Sequence, residues 1–91
     1  MQIYPADIIT PPDQQTFAYL EVEVLDHVLH VTLDREQKRN AIHPQMVNEL
    51  AFCMQYAHQS PQVWMILIKA KGPVFCAGAD LKAFAGMVEP D

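Results

Sequence analysis

The sequence has few of the residues on which several protein classes depend. Two cysteines in 91 residues cannot form a disulfide framework, so we interpret them as reduced thiols of a cytoplasmic protein. The longest apolar run, Val63–Ile68, is far shorter than the roughly 20 residues that span a bilayer. Three glycines form neither a dinucleotide-binding fingerprint nor a phosphate-binding loop. A net charge of −5 argues against binding nucleic acid through general basicity.

Metal-binding and nucleophilic patterns are also missing. The four histidines lack the spacing of metal ligands, so we predict no metal and no cofactor. The segment Met1–Asp7 has neither the basic nor the apolar part of a secretion signal. Cys76 has no histidine at an obvious partner position, and we interpret it as a packed thiol.

The length fits one domain. Prolines interrupt the beginning of the chain, so residues 1–18 are predicted to form an irregular arm, with a short strand at Ile8–Ile9 as an option. Residues 19–91 would form the domain. No internal repeat is present in the sequence.

Two runs of alternating apolar and polar residues predict a β-hairpin whose turn is Asp26–His27. A two-residue turn places apolar residues opposite one another on one face and polar residues on the other. A slip of one residue would set valine against glutamate, so the register is well specified. The predicted apolar pairs are Val24–Leu29, Val22–Val31 and Leu20–Leu33.

A helix should follow, beginning at Pro44 and ending before Pro61. Glu49 falls on its predicted polar side. Phe52 and Tyr56 lie on that side too, where they either widen the core stripe or form a contact patch. The next run, Val63–Ile68, predicts a buried parallel strand. The predicted core stripe of the helix comprises Met46, Val47, Leu50, Cys53, Met54 and Ala57.

Strand, helix and strand form a βαβ unit, whose parallel strands end at the same edge of the sheet. Segments 34–43 and 69–80 should therefore converge there, where ligands of such sheets bind. Five of the six basic residues fall in these two segments. Either these loops simply carry charge, or the edge binds a small polyanion. The five are Arg35, Lys38, Arg39, Lys69 and Lys71.

The second segment also contains three small residues at 77–79, before a short helix predicted by the spacing of Leu81, Phe84 and Met87. Backbone amides held there could stabilise negative charge on an oxygen atom, although plain packing explains small residues equally well. Asp80 is predicted to cap this helix, with orientation of a substrate group as the alternative.

Three stretches together resemble the crotonase superfamily of enoyl-CoA hydratases and isomerases. They are Val31–Arg35 with Lys38–Ile42, the helix start His43–Met46, and Phe75–Lys82. The resemblance covers about residues 20–86. It implies an α/β fold, the N-terminal part of a crotonase-like β-β-α spiral, in the order β-hairpin, helix, parallel strand, loop and helix.

The resemblance also implies site residues. The backbone amide of Ala77 would be one of two oxyanion-hole donors to the thioester carbonyl. Lys38, Arg39, Asn40 and Ala41 would lie near the nucleotide end of coenzyme A, which enters as part of the substrate. The thioester and pantetheine path would be lined by Ala77, Gly78, Ala79 and Asp80.

The implied activity is that of an acyl-CoA (enoyl-CoA) hydratase or isomerase, and the resemblance implies a homo-oligomer, a trimer or a hexamer as in the family. No residue of this sequence matches the second donor or the acid/base carboxylates, so the 91-residue chain alone is expected to be inactive. The alternative is a non-catalytic, truncated fragment that acts as an assembly piece through its Phe52/Tyr56 face and its open sheet edges.

Overall fold

The computed structural model describes residues 17–85, which form a three-stranded sheet covered on one face by a helix. The sheet order is β1-β2-β3. The predicted arm up to residue 16, with its optional strand, lies outside the described residues, as does Met87. The elements are β1 Leu20–Leu25, β2 Val28–Leu33, a 3₁₀ turn Glu36–Lys38, α1 Pro44–Gln59, β3 Met65–Ala70 and α2 Leu81–Ala85.

The hairpin has the predicted register, in which Val22 faces Val31. Asp26 and His27 adopt positive φ angles of 49° and 66°, as a tight two-residue turn requires. The imidazole of His27 stacks on the Trp64 indole, with ring centroids 3.8 Å apart and planes within 5°. Its Nδ1 lies 2.9 Å from the Gln62 carbonyl oxygen. These contacts offset the cost of placing a non-glycine residue in the turn.

Helix α1 begins at Pro44, as predicted. Four residues of the predicted core stripe face the core, namely Met46, Leu50, Cys53 and Ala57, but the edge of the buried face differs. Its buried residues include Glu49 and Phe52, whereas Val47 and Met54 are exposed. Glu49 is fully buried because its carboxylate accepts hydrogen bonds from the backbone amides of Ala18 and Tyr19, at 2.8 and 2.9 Å. The prediction that Glu49 belongs to the polar side is therefore wrong.

Phe52 belongs to the core rather than to a contact patch. It is 8% exposed, and its ring packs against Phe17 with centroids 5.9 Å apart. The first residue before the helix, His43, accepts a hydrogen bond from the Gln45 amide through Nδ1, at 3.0 Å. The central cluster of the core consists of Leu20, Leu29, Val31, Leu33, Met46 and Cys53, together with partly buried neighbours.

Strand β3 pairs in parallel with β2, as predicted, but it begins two residues later than expected. The prediction that it is buried is wrong for the described residues, in which β3 has a neighbour on one side only. Met65 is 60% exposed, and Leu67 and Ile68 are exposed as well. We call the sheet face that points away from α1 the outer face; it carries Glu21, Glu23, His30, Thr32, Met65, Leu67 and Lys69.

Candidate functional site

The carboxyl ends of β2 and β3 are joined by one buried side chain, that of Asn40. Its Nδ2 donates to the carbonyl oxygens of Lys71 and Val74, both at 2.8 Å. Its Oδ1 accepts a hydrogen bond from the Arg35 amide at 2.9 Å. Asn40 is fully buried and has a φ of 56°, which asparagine tolerates better than most residues. The predicted convergence of the two segments is thus confirmed, with Asn40 holding them together from inside.

A single parallel bridge between Ile42 and Ala79 forms the second junction. The Ile42 amide donates to the Gly78 carbonyl at 2.8 Å, and the Asp80 amide donates to the Ile42 carbonyl at 2.9 Å. Gly78 has a φ of 100°, and a Cβ built on it would meet nothing within 4 Å. The backbone at Gly78 therefore needs glycine for its conformation and is open to approach.

Between the two segments lies a crevice, whose cavity has a volume of about 280 Å³. It opens at the edge of the sheet that the sequence indicates as the ligand edge. Its lining is mixed in charge. The lining residues are Glu36, Gln37, Arg39, Lys71, Pro73 and Val74.

Two of the five cations predicted for this edge are neutralised by the protein itself. Lys71 Nζ lies 2.5 Å from Glu21 Oε1 and 3.3 Å from Asp34 Oδ2. The hydrogen bond to Glu21 is the main reason why the pKa of Lys71 is raised above 10.5. Arg35 is paired with Asp80, at 2.9 Å.

Only part of the predicted cationic set can meet a ligand at the crevice. Lys69 lies on the outer face, beside Glu21 and Glu23. Lys38 and Arg39 are exposed and have no ion-pair partner within residues 17–85. The unpaired positive charge of this loop is therefore that of Lys38 and Arg39, of which Arg39 lines the crevice.

The predicted oxyanion donor, the amide of Ala77, is already engaged. It donates to the Arg39 carbonyl oxygen at 3.0 Å. An amide hydrogen held in this way is a poor donor to a second oxygen, so the predicted role of Ala77 conflicts with its hydrogen bond.

The amide of Ala79, by contrast, has no partner within the described part of the chain. The reason is the bridge geometry, because a residue in a parallel bridge directs its own amide away from the strand that its neighbours bond. Ala79 is exposed.

Asp80 has the predicted capping role and a second one. Its Oδ1 accepts from the Ala83 amide at 3.0 Å, which caps α2. Its Oδ2 is the atom that pairs with Arg35. The Ala83 amide, followed by the Arg35 guanidinium, holds the pKa of Asp80 below its usual value of 3.8.

Two residues of structural importance lack a local sequence signal. Arg35 looks like one cation among five, yet it is 7% exposed and its guanidinium lies 5.3 Å from the centre of the Tyr19 ring. Glu49 is polar on an otherwise amphipathic helix, and its partners precede it by about 30 residues. Only the three-dimensional pairing of distant segments identifies either residue.

Both cysteines are free thiols. Burial, together with the nearby charge of Glu49, raises the pKa of Cys53 to about 12. Cys76 is half-buried. Within residues 17–85, no cluster of three histidine, cysteine or carboxylate side chains could hold a metal ion, and no helix is long and apolar enough to cross a membrane.

The sequence profile of the enoyl-CoA hydratase/isomerase family matches residues 23–90. The chain belongs to this family. That result confirms the crotonase superfamily and the N-terminal part of its fold as predicted from the sequence.

Individual relatives agree with this placement. An enoyl-CoA isomerase/hydratase of Mycosarcoma maydis is 35% identical over 85 residues, which are 81% of this chain and 31% of the relative. A probable enoyl-CoA hydratase of Mycobacterium tuberculosis is 37% identical over 65 residues, or 70% of this chain and 25% of the relative. The chain therefore spans about a third or less of the length of these curated relatives.

Solved structures give the same result. The enoyl-CoA hydratase of Shewanella pealeana superposes with a TM-score of 0.75 at 32% identity, covering 88% of this chain and 30% of that structure. An enoyl-CoA hydratase/isomerase of Pseudoalteromonas atlantica gives a TM-score of 0.74 at 30% identity, with 80% and 29% covered.

Proposed function

We propose that this chain forms part of an acyl-CoA site, in which the backbone amide of Ala79 rather than Ala77 donates a hydrogen bond to the thioester carbonyl. The observation that carries the proposal is the unpartnered Ala79 amide. It lies beside the open backbone of Gly78, in segment 69–80, which is hydrogen-bonded to segment 34–43.

The charge distribution supports the same ligand. Lys38 and Arg39 are exposed, unpaired within residues 17–85 and next to the buried Asn40. Charge-assisted hydrogen bonds to phosphate are among the stronger polar contacts that proteins make. Asn40 is not a ligand contact in this proposal, because it is fully buried. Its role is to hold the loop that presents the two cations.

A backbone donor at Ala79 would stabilise the negative charge that develops on the thioester oxygen as an enolate forms. In a complete site a second donor and acid/base groups would act with it. Loss of one such donor typically lowers the rate by about 10²–10³, and loss of a general acid or base by about 10²–10⁴. We therefore expect the 91-residue chain to bind acyl-CoA with little or no turnover.

The decisive experiment is calorimetric titration of the chain with acetyl-CoA and with CoA. We expect binding of both, and the double variant Lys38→Glu/Arg39→Glu should weaken it by about tenfold or more, because two phosphate contacts become repulsive. The matched control is Lys69→Glu, which reverses a charge on the outer face and should bind as the unaltered chain does. Failure of the chain to bind either molecule would refute the proposal, as would equal losses in the control.

The accompanying activity assay uses a short enoyl-CoA as substrate. We expect no measurable hydration by the purified chain. Robust turnover would show that the chain carries a complete site of its own.

A second candidate function, an assembly piece, is favoured by the exposed side of β3. Trp64 is 75% exposed and lies next to the exposed residues Met65 and Leu67. Apolar edge strands of this kind pair readily with other chains. Sedimentation velocity over a hundredfold range of concentration distinguishes the two candidates, because assembly predicts growing oligomers without any need for acyl-CoA.

A further inference from the structure

The guanidinium of Arg35 lies at the junction that carries the Ala79 amide. Its Nη1 is 2.9 Å from Asp80 Oδ2 and donates to the Ala41 carbonyl oxygen at 3.0 Å. One nitrogen therefore connects the residue that precedes Ile42 with the residue that follows Ala79. Ile42 and Ala79 are the two members of the bridge.

The bridge holds the Ala79 amide through few contacts. It consists of two backbone hydrogen bonds at an isolated position, outside any strand of the sheet. The Arg35 contacts add a charged link across the same two segments. The Ala79 amide shares a peptide plane with the Gly78 carbonyl, which the Ile42 amide holds. The Arg35 link holds Asp80, on the other side of Ala79, so that Ala79 is held from both sides.

Packing alone does not account for a buried arginine at position 35, because burying its charge costs free energy. The residue is 7% exposed, and its Nε has no hydrogen-bond partner within residues 17–85. A buried, incompletely satisfied cation is seldom more stabilising than an apolar side chain of similar size. The presence of Arg35 at this junction is better explained by the position in which it holds Asp80 and Ala41.

We propose that Arg35 is a positioning residue, which acts through Asp80 to aim the Ala79 amide at a thioester oxygen. This inference rests on the proposed function. Arg35 itself would contact no part of the substrate.

The test uses the full chain labelled with ¹⁵N. The amide resonance of Ala79 is followed while acetyl-CoA or CoA is added. Because only acetyl-CoA has a thioester carbonyl oxygen to accept the bond, we expect a downfield proton shift with acetyl-CoA that CoA does not produce. Titration calorimetry on the same samples gives the ratio of the two affinities.

Three variants separate positioning from packing. Arg35→Met keeps an unbranched apolar stem but loses the donors, and Arg35→Lys keeps the charge and one donor group. Asp80→Asn removes the ionic partner while keeping a residue that caps helices as well as aspartate does. Lys69→Met is the matched control, since it removes a cation from the outer face. The retained dispersion of the core resonances shows that each variant is folded.

Positioning predicts that Arg35→Met and Asp80→Asn abolish the acetyl-CoA-specific shift and lower the preference for acetyl-CoA over CoA by about three- to tenfold, the value of one hydrogen bond. Arg35→Lys should restore much of both, and Lys69→Met should change neither. The double variant Arg35→Met/Asp80→Asn should lose no more of the preference for acetyl-CoA than either single variant does.

The contrary outcomes are distinct. A normal Ala79 shift in Arg35→Met, or failure of Arg35→Lys to exceed Arg35→Met, would overturn the positioning role alone. If Arg35→Met does not fold, Asp80→Asn decides the question in the same way. Absence of any acetyl-CoA-specific shift in the unaltered chain would overturn both this role and the proposed donor.

Discussion

Two regions of β3, the crevice at its carboxyl end and the exposed surface along its length, differ in how many of their polar and apolar groups are paired or buried within this chain. At its carboxyl end, the crevice segments satisfy one another through Asn40, Arg35 and the bridge at Ala79. Along its length, β3 has a strand neighbour on one edge only among the described residues, and its side chains Met65 and Leu67 are exposed. The crevice is thus largely organised by this chain itself, whereas the exposed side of β3 is not covered by it.

The largest effect should come from Asn40. Asn40→Gly preserves the positive φ but removes all three hydrogen bonds and leaves two inward-facing carbonyl groups unpaired, at a cost of about 2–4 kcal/mol in the free energy of unfolding. Urea denaturation followed by circular dichroism measures this. The control Gln62→Ala, at an exposed site, should change stability little. A loss below that of the control would mean that the crevice does not depend on Asn40.

A smaller loss in the free energy of unfolding is expected for Glu49→Gln, a substitution in helix α1 outside both regions. The amide retains one acceptor oxygen but loses the charge that strengthens the hydrogen bonds from Ala18 and Tyr19, at a cost of about 1–2 kcal/mol. The substitution should also lower the pKa of Cys53, because the charge of Glu49 helps to raise it. Thiolate absorbance during a pH titration checks the second effect, and an unchanged pKa would contradict it.

Acid should weaken the crevice before it affects the exposed side of β3. The pKa of Asp80 is lower in the folded chain than its ordinary value of 3.8, so the ionised carboxylate favours folding. This contribution is complete well above pH 4 and is lost as the pH falls through the lowered value. Asp80→Asn should remove this part of the pH dependence, as seen by comparing denaturation curves at pH 6 and pH 3. The assignment would be contradicted if the unaltered chain and Asp80→Asn lost the same free energy of unfolding between pH 6 and pH 3.

The smallest effect on stability should come from Leu67→Lys. Leu67 is 42% exposed, and exposed substitutions usually change stability by within about 0.5 kcal/mol. Its effect should instead appear as reduced self-association in sedimentation velocity, because a charge on an edge strand opposes pairing. A stability loss as large as that of Asn40→Gly would remove the contrast between the two regions.

The sequence predicts the parts of this fold whose signals are local. The hairpin register follows from the facing apolar pairs such as Val22 and Val31, and the start of α1 follows from Pro44. The buried face of α1 is predicted only in part, because Glu49 is also buried, where it accepts hydrogen bonds from the amides of Ala18 and Tyr19, which no helical periodicity reveals.

The candidate site divides in the same way. Topology places the two segments together, and the small residues at 77–79 indicate an exposed backbone. Which amide is available depends on the Ile42–Ala79 bridge and on the hydrogen bond from Ala77 to Arg39. Likewise, the pairing of Lys71 with Glu21 joins residues that are 50 positions apart, so counting cations overestimates the charge of the crevice.

The stacked pair of Trp64 and His27 gives the molecule a built-in optical probe. Trp64 is the only tryptophan and lies at the hairpin-turn end of the sheet, separated from the crevice by the length of β3, about 20 Å. Its emission is therefore sensitive to solvent and to the adjacent imidazole rather than to a molecule bound at the other end. A change in Trp64 fluorescence on adding acyl-CoA would accordingly indicate a rearrangement transmitted along the strand. Binding without such a rearrangement should leave the fluorescence unchanged.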